Sequence, residues 1–199
     1  SNLTETLSRH VSVRSMRLSR EWPADMQLSL NVTAADLAAP DFARAMREML
    51  TKERFAPERL TLEITEQALV RDLDRSAAQL QELVRSGMRV ALDDFGAGFC
   101  NFRYLKILPL YAIKLDRSMV DGIAYDERDL AVLRGIVAMA RALDLKVIAE
   151  GVETEGQRHF LATHRCDLLQ GYMFGKPAPA TVWQARWQHA ARQPIDPIL

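Results

Sequence analysis

No stretch of this chain carries the ~20 consecutive apolar residues that a membrane-spanning helix needs, and its start shows no signal-peptide pattern. Neither charge sign is in excess, since 26 basic residues balance 26 acidic ones. Proteins that grip duplex DNA or an anionic membrane carry a basic surplus. Neither is therefore an expected partner, and an anionic ligand would have to be held locally. Cysteine is scarce: Cys100 and Cys166 lie far apart, in no metal-ligand or disulfide spacing. We read them as free thiols of a reducing cytoplasm, and a cytoplasmic location is the expectation. Histidine is scarce too. His10, His159, His164 and His189 all fall in segments that read as helices. With no imidazole where strands end, a Ser-His-Asp hydrolase and a zinc centre are both disfavoured. No linker, low-complexity tract or repeat divides the 199 residues, so the chain reads as a single domain over 1–199 with an irregular tail at 193–199.

What the sequence does contain is a strand–helix alternation, the signature of a parallel sheet wrapped by helices. Strands are expected at Met26–Val32, Arg59–Thr65, Arg89–Asp93, Tyr111–Asp116, Lys146–Glu150 and Asp167–Gly171. Helices are expected at Leu3–Trp22, Asp41–Phe55, Asp72–Ser86, Asn101–Leu108, Glu127–Leu143, Glu155–His164 and Ala180–Arg192. Pro40 marks a start and Gly87 a stop.

Parity along the strands separates an open sheet from a barrel. Leu28, Leu30 and Val32 share one face, and Ser29 and Asn31 the other. The later strands repeat this: one face is apolar, and the other carries small residues and then a polar one near the C-terminal end. Strands of an open sheet buried on both faces would read apolar throughout. A narrow barrel fits instead, with its site at the C-terminal mouth. The class expected is therefore α/β, a TIM-like barrel, incomplete, with about six parallel strands. Six side chains converge on that mouth: Asn31, Glu63, Asp93, Lys114, Glu150 and Gln170. Each alone would also pass as a solvated strand end.

Carboxylates, an amide and a lysine form a set of hard oxygen donors plus a cation, which suits Mg²⁺, Mn²⁺ or Ca²⁺. The neighbours Asp93 and Asp94 raise their own question, because like charges that close repel. A divalent metal, a lysine and plain solvent exposure are three open answers. In a regular strand the two point to opposite faces. They reach one site only if the chain leaves its pleat after Asp93, a freedom that Gly96 and Gly98 would supply. Two metal ions there would activate water and clamp a phosphoryl oxygen. Lys114 would offset charge on the phosphate or hold the water. Asp94-Phe95-Gly96 also matches a protein-kinase tripeptide, but the other kinase motifs are missing.

The stretches LNVTAADL, LTLEITEQAL, VALDDFGAGF, LPLYAIKLDRSMV, VIAEGVET and LLQGYMFGKP, in that order from Leu28 to Pro179, resemble the successive motifs of the EAL domain family. That family comprises bacterial phosphodiesterases that hydrolyse cyclic di-GMP (c-di-GMP) to the linear dinucleotide pGpG. The resemblance implies a modified TIM barrel with a Mg²⁺- or Mn²⁺-dependent two-metal site, inhibited by Ca²⁺. It implies that Asn31, Glu63 and Asp93 bind one metal, and that Asp93, Asp94 and Glu150 bind a second. Lys114 would position the attacking water, and Glu150 is alternatively the general base. Glu66 would anchor the loop from Asp94 to Phe102, while Asp116, Glu153 and Gln170 would complete the substrate-binding shell. A homodimer, and an upstream sensor or diguanylate cyclase domain in a membrane-anchored parent, are further implications.

Two departures from the family pattern stand out. The loop reads Ala97, Phe99, Cys100, Asn101 and Phe102 where the family has Thr, Tyr, Ser, Ser and Leu, so hydroxyls are lost. The Glu-Ala-Leu tripeptide, whose Glu is a metal ligand in the family, is absent. The expectation is a domain short at its N-terminal side, its first two barrel strands either absent from a protein that starts late or lying upstream in a longer parent, with activity impaired in this chain. Two sheet edges would then be open, pairing with another chain or covered by the N-terminal helix. Three readings follow: a c-di-GMP phosphodiesterase, an inactive c-di-GMP receptor or protein-interaction module, and an unrelated metal-dependent barrel enzyme.

Overall fold

Period-2 patterns become strands here wherever their apolar face finds a helix to pack on. The computed structural model describes residues 2–69, 72–96, 102–121 and 126–190. In chain order the elements are α1 (Asn2–Ser19), β1 (Leu28–Val32), α2 (Ala34–Ala38), α3 (Phe42–Glu53), a 3₁₀ turn (Pro57–Arg59), β2 (Leu60–Thr65), α4 (Glu66–Leu69), α5 (Leu73–Arg85) and β3 (Arg89–Phe95). They continue as α6 (Phe102–Ile107), β4 (Ala112–Leu115), α7 (Arg117–Asp121), α8 (Glu127–Ala142), β5 (Lys146–Ala149), α9 (Glu155–Thr163), β6 (Leu168–Leu169) and α10 (Ala180–Ala190).

The six strands form one parallel sheet in the order β1-β2-β3-β4-β5-β6. With its helices it curls into a half-barrel, the incomplete TIM-like fold expected. Leu28, Leu30 and Val32 of β1, Leu60, Leu62 and Ile64 of β2, and Val90 and Leu92 of β3 are buried in one continuous core. The helices contribute Leu50, Leu80, Leu83, Leu133 and Leu161 to it. The opposite strand face holds Ala91 and Ala112, both fully buried.

Several details differ from the sequence expectation, among them α1, which ends at Ser19 rather than Trp22, and β6, which spans only Leu168–Leu169 of the expected Asp167–Gly171. Short helices α2, α4 and α7 follow β1, β2 and β4 directly, and four or five residues are too few to show a helical period. α2 is nonetheless well specified by a capping box: Thr33 Oγ1 accepts from the Asp36 N–H, and the Asp36 carboxylate accepts from the Thr33 N–H. β1 begins at Leu28 rather than Met26, whose carbonyl instead accepts from Arg59 Nε at 3.0 Å. β3 runs on to Phe95 rather than stopping at Asp93.

Among the described residues, β1 and β6 are the sheet's unpaired edges. α1 packs against β1 and α3, with Met16 fully buried and Arg17 forked onto Glu53 at 2.8 and 2.9 Å. The C-terminal helix returns to the same end of the molecule. Trp187 meets Trp22 edge-on with ring centroids 5.3 Å apart, and Gln184 Nε2 lies 3.4 Å from Glu21. The expected irregular tail at 193–199 lies outside the described residues, as do Cys100 and Gly98.

Candidate active site

Every residue of β4 is buried, including Lys114, whose side chain is 3% exposed. A buried ammonium is costly unless it is paired. Its Nζ lies 2.7 Å from Glu63 Oε2, 3.0 Å from Asp93 Oδ1 and 2.7 Å from Glu150 Oε1. The three carboxylates come from β2, from β3 and from the residue just after β5. Stagger between strands sets the level of each: Asn31 pairs in register with Glu63, Asp93 with Thr65, and Lys114 with Ile148. Burial opposes the charge on Lys114, but hydrogen bonds to Glu150, Glu63 and Asp93 outweigh it and hold the pKa above the usual lysine range. Burial pushes the Glu150 carboxyl above its ordinary value, against the opposing pull of Lys114.

The adjacent aspartates are resolved by a break in the ladder. β3 pairs with β4 through Ala91–Ala112, Leu92–Ile113 and Phe95–Leu115, so Asp93 and Asp94 together face Lys114. This is a β-bulge, which re-aims a side chain by inserting one residue. The pleat breaks at Asp94 itself, which adopts a left-handed φ of 55°, a conformation that aspartate tolerates better than most residues. The expectation that the glycines of the following loop supply this freedom is corrected accordingly. Gly96 has a positive φ as well, but two residues later. The Asp94 N–H donates to Asp93 Oδ1 at 3.1 Å. Asp94 is exposed, and its carboxyl is raised, first by partial burial and then by Asp93 and Asp116. Lys114 pairs with Asp93 and solvent meets Asp94, which are two of the three open answers.

The remaining candidates spread around the rim. Asn31 is exposed beside Glu63 on the β1–β2 pair. Glu66 opens α4 and is half-buried, while Ala97–Asn101 of the loop it was expected to anchor lie outside the described residues. Asp116 accepts from the N–H and the hydroxyl of Ser118, which hold its carboxyl below the ordinary value. Glu153 is bound by Arg117 at 3.0 Å. Gln170 is exposed, and its carbonyl accepts from the Val152 N–H at 3.0 Å. Sequence reasoning missed Arg117, although its place directly after the strand residues Lys114-Leu115-Asp116 was a usable signal.

The donor set suits a hard divalent cation. Three carboxylates face one ammonium, so two negative charges remain for another cation to balance. Among the described residues no group of three or more His, Cys, Asp or Glu side chains is already drawn together in metal-holding geometry. Here Glu63, Asp93 and Glu150 are gathered on Lys114.

The family model described as EAL domain matches residues 1–177. MucR of Pseudomonas aeruginosa, a bifunctional diguanylate cyclase/cyclic di-GMP phosphodiesterase, is 40% identical over 79% of this chain and 23% of its own length. NbdA of the same organism, a cyclic di-GMP phosphodiesterase, is 39% identical over 77% of this chain and 20% of its own. This chain thus spans less than a quarter of either relative. Among solved structures, the PaMucR phosphodiesterase in its c-di-GMP complex superposes with a TM-score of 0.85 at 36% identity, covering 92% of this chain and 75% of that one. Klebsiella pneumoniae BlrP1 has been solved with c-di-GMP and either calcium or manganese. Both structures match with a TM-score of 0.79 at 27% identity, covering 86% and 87% of this chain and 44% and 45% of theirs.

Proposed function

The chain belongs to the EAL domain family, and from that premise we propose that it forms part of a divalent-metal-dependent phosphodiesterase domain that hydrolyses c-di-GMP to pGpG in bacterial second-messenger signalling. The observation that carries the reading is the Lys114 ammonium ringed by Glu63, Asp93 and Glu150 from three separate strand ends. Asn31, Glu63, Asp93, Asp94 and Glu150 would hold Mg²⁺ or Mn²⁺. Bound there, such ions supply Lewis-acid activation of a phosphoryl oxygen and of water.

The chain's own residues divide the remaining work. Lys114 is fixed, charged and desolvated, so it offsets negative charge that grows on the attacked phosphate and orients the attacking water. Glu150, raised above the ordinary carboxylate range by burial, is suited to take a proton from that water, since a base works best with its pKa nearer the operating pH. Glu66 anchors the loop between Asp94 and Phe102. Asp116, Glu153 and Gln170 line the rim where the substrate enters. The manganese complex of BlrP1 supports the metal class, and we assign Ca²⁺ an inhibitory role. MucR combines a cyclase with a phosphodiesterase, which supports a longer parent in which a cyclase or sensor domain precedes this one. We propose a homodimer, and a domain in the cytoplasm. No helix among the described residues is long and apolar enough to cross a membrane.

The test is c-di-GMP hydrolysis with Mn²⁺, followed by chromatographic separation of pGpG, beside calorimetric binding of c-di-GMP. Turnover in the parent protein that disappears in Asp93→Asn, with little change in melting temperature, is the expected result. Binding without turnover would make the protein a receptor, and the absence of both would overturn the reading.

A further inference from the structure

We infer that Arg117 is a positioning residue that clamps the turn after β5 and thereby sets the place of Glu150. The inference rests on the phosphodiesterase reading for its kinetic consequence, though not for its geometry.

Glu150 lies one residue beyond β5, where sheet hydrogen bonding ends. Its own N–H still donates to the Leu115 carbonyl at 3.2 Å, but the next residues leave the sheet. Gly151 turns the chain with φ 72°, a conformation that costs glycine least. The turn is pinned on two sides. On the β6 side, the Val152 N–H donates to the Gln170 carbonyl at 3.0 Å, and Gly171 is so close to Val152 that a Cβ there would meet its carbonyl oxygen at 2.1 Å. On the β4 side the contact is Arg117. Its aliphatic stem lies over Gly151, where a Cβ would come within 2.5 Å of Arg117 Cγ. Its guanidinium then reaches Glu153 Oε1 at 3.0 Å and Asp121 Oδ2 at 3.1 Å.

One side chain therefore touches the residue directly after Glu150 and the residue three positions on, from a base two residues beyond Leu115. The same β4–α7 segment carries Lys114. Arg117 thus ties the strand that bears the ammonium to the turn that bears its third carboxylate. The guanidinium is about half exposed, and exposed ion pairs contribute little stability. What the clamp supplies is placement. Misplacing a reacting group by an ångström can cost as much as ~100-fold in rate. Glu153, assigned above to the substrate rim, is also the handle by which Arg117 holds the turn.

The test compares Arg117→Gln, Arg117→Lys and Gly151→Ala with the unaltered protein by two readouts. Amide hydrogen exchange at Val152 and Glu153 should quicken about tenfold in Arg117→Gln while β2, β3 and β4 keep their protection. Arg117→Lys, which keeps the stem and the charge but loses the planar fork, should fall between. Gly151→Ala should give the same local loosening from the other side of the contact. With c-di-GMP and Mn²⁺, kcat should fall about tenfold in Arg117→Gln at unchanged KM. Unaltered exchange at Val152 and Glu153 would overturn the clamp, and a loss carried by KM would mean that Arg117 acts on the substrate rim through Glu153 and does not place Glu150. If the unaltered parent protein binds c-di-GMP but does not turn it over, or ignores it, the phosphodiesterase reading fails while exchange still decides the clamp.

Discussion

Replacing Lys114 by methionine would remove the cation that Glu63, Asp93 and Glu150 share, leaving their carboxylates facing one another at the mouth. Removing one partner of a buried ion group is strongly destabilising. Allowing for the partial exposure of Glu63 and Glu150, the expected loss is on the order of 3 kcal/mol. The sign of its pH dependence follows from linkage. In the unaltered protein the raised Lys114 pKa means that its stabilisation is fully present below the ordinary lysine value and lost only in strong alkali. In Lys114→Met the Glu150 carboxyl, raised by burial and no longer opposed by the ammonium, holds its proton more tightly folded than unfolded, so stability falls as pH rises through its titration. The gap between the two proteins, read from urea midpoints, should therefore be wider at pH 7 than at pH 5. Mn²⁺ should narrow it by supplying the missing positive charge. The pairing behind this was half legible. Alternation placed Glu63, Asp93 and Lys114 on one face, but which carboxylates reach the ammonium depends on strand stagger, which leaves no mark in any one strand. The bulge at Asp93–Asp94 was illegible for a related reason: a single left-handed aspartate breaks no periodicity.

Two polar side chains decide how helices sit beside the strands. Gln79 on α5 is buried and serves three backbone groups of the α2–α3 connection. It donates to the Leu37 and Ala39 carbonyls at 2.8 and 3.0 Å and accepts from the Ala43 N–H at 3.2 Å. Gln79→Ala would leave those groups unsatisfied, and a loss of about 2–3 kcal/mol in chemical denaturation is expected. Glu53 on α3 holds the end of α1 through Arg17 and through Arg20, the residue just past it. The Arg17 hydrogen bond is the chief reason that its carboxyl lies below the ordinary range. A lowered folded pKa gives stabilisation that is present above the unfolded value and lost as pH falls through the folded one. α1 should therefore loosen on acidification, seen as faster amide exchange around Met16, and Glu53→Gln should loosen it already at neutral pH. Neither residue was singled out from sequence, because a Gln or Glu on an amphipathic helix reads as solvent-facing until its neighbours are known. The long helices themselves were visible in their periodicity to within a few residues at each end.

At the scale of the whole molecule, a six-stranded parallel sheet leaves β1 and β6 without strand partners among the described residues, and free edges invite association. The aromatic contact between Trp22 and Trp187 brings the two ends of the chain together beside β1, where Trp183 stacks near Trp187 with centroids 6.2 Å apart. Trp187→Ala is expected to erase much of the near-ultraviolet circular dichroism and to raise self-association by light scattering. An unchanged spectrum and an unchanged mass would show that this contact does not hold the C-terminal helix in place.

By itself the sequence determined the parallel α/β class, the apolar and polar faces of each strand, and the set of polar residues near the strand ends, because each of these is written in local periodicity. The resemblance of its motifs pointed to the family that the comparisons bear out. Tertiary structure decided which carboxylates share Lys114, where β3 breaks its pleat, that Arg117 spans from α7 to Glu153, and that α10 returns to Trp22. All four depend on stagger and on contacts between segments distant in the chain, which exist only once the sheet has curled.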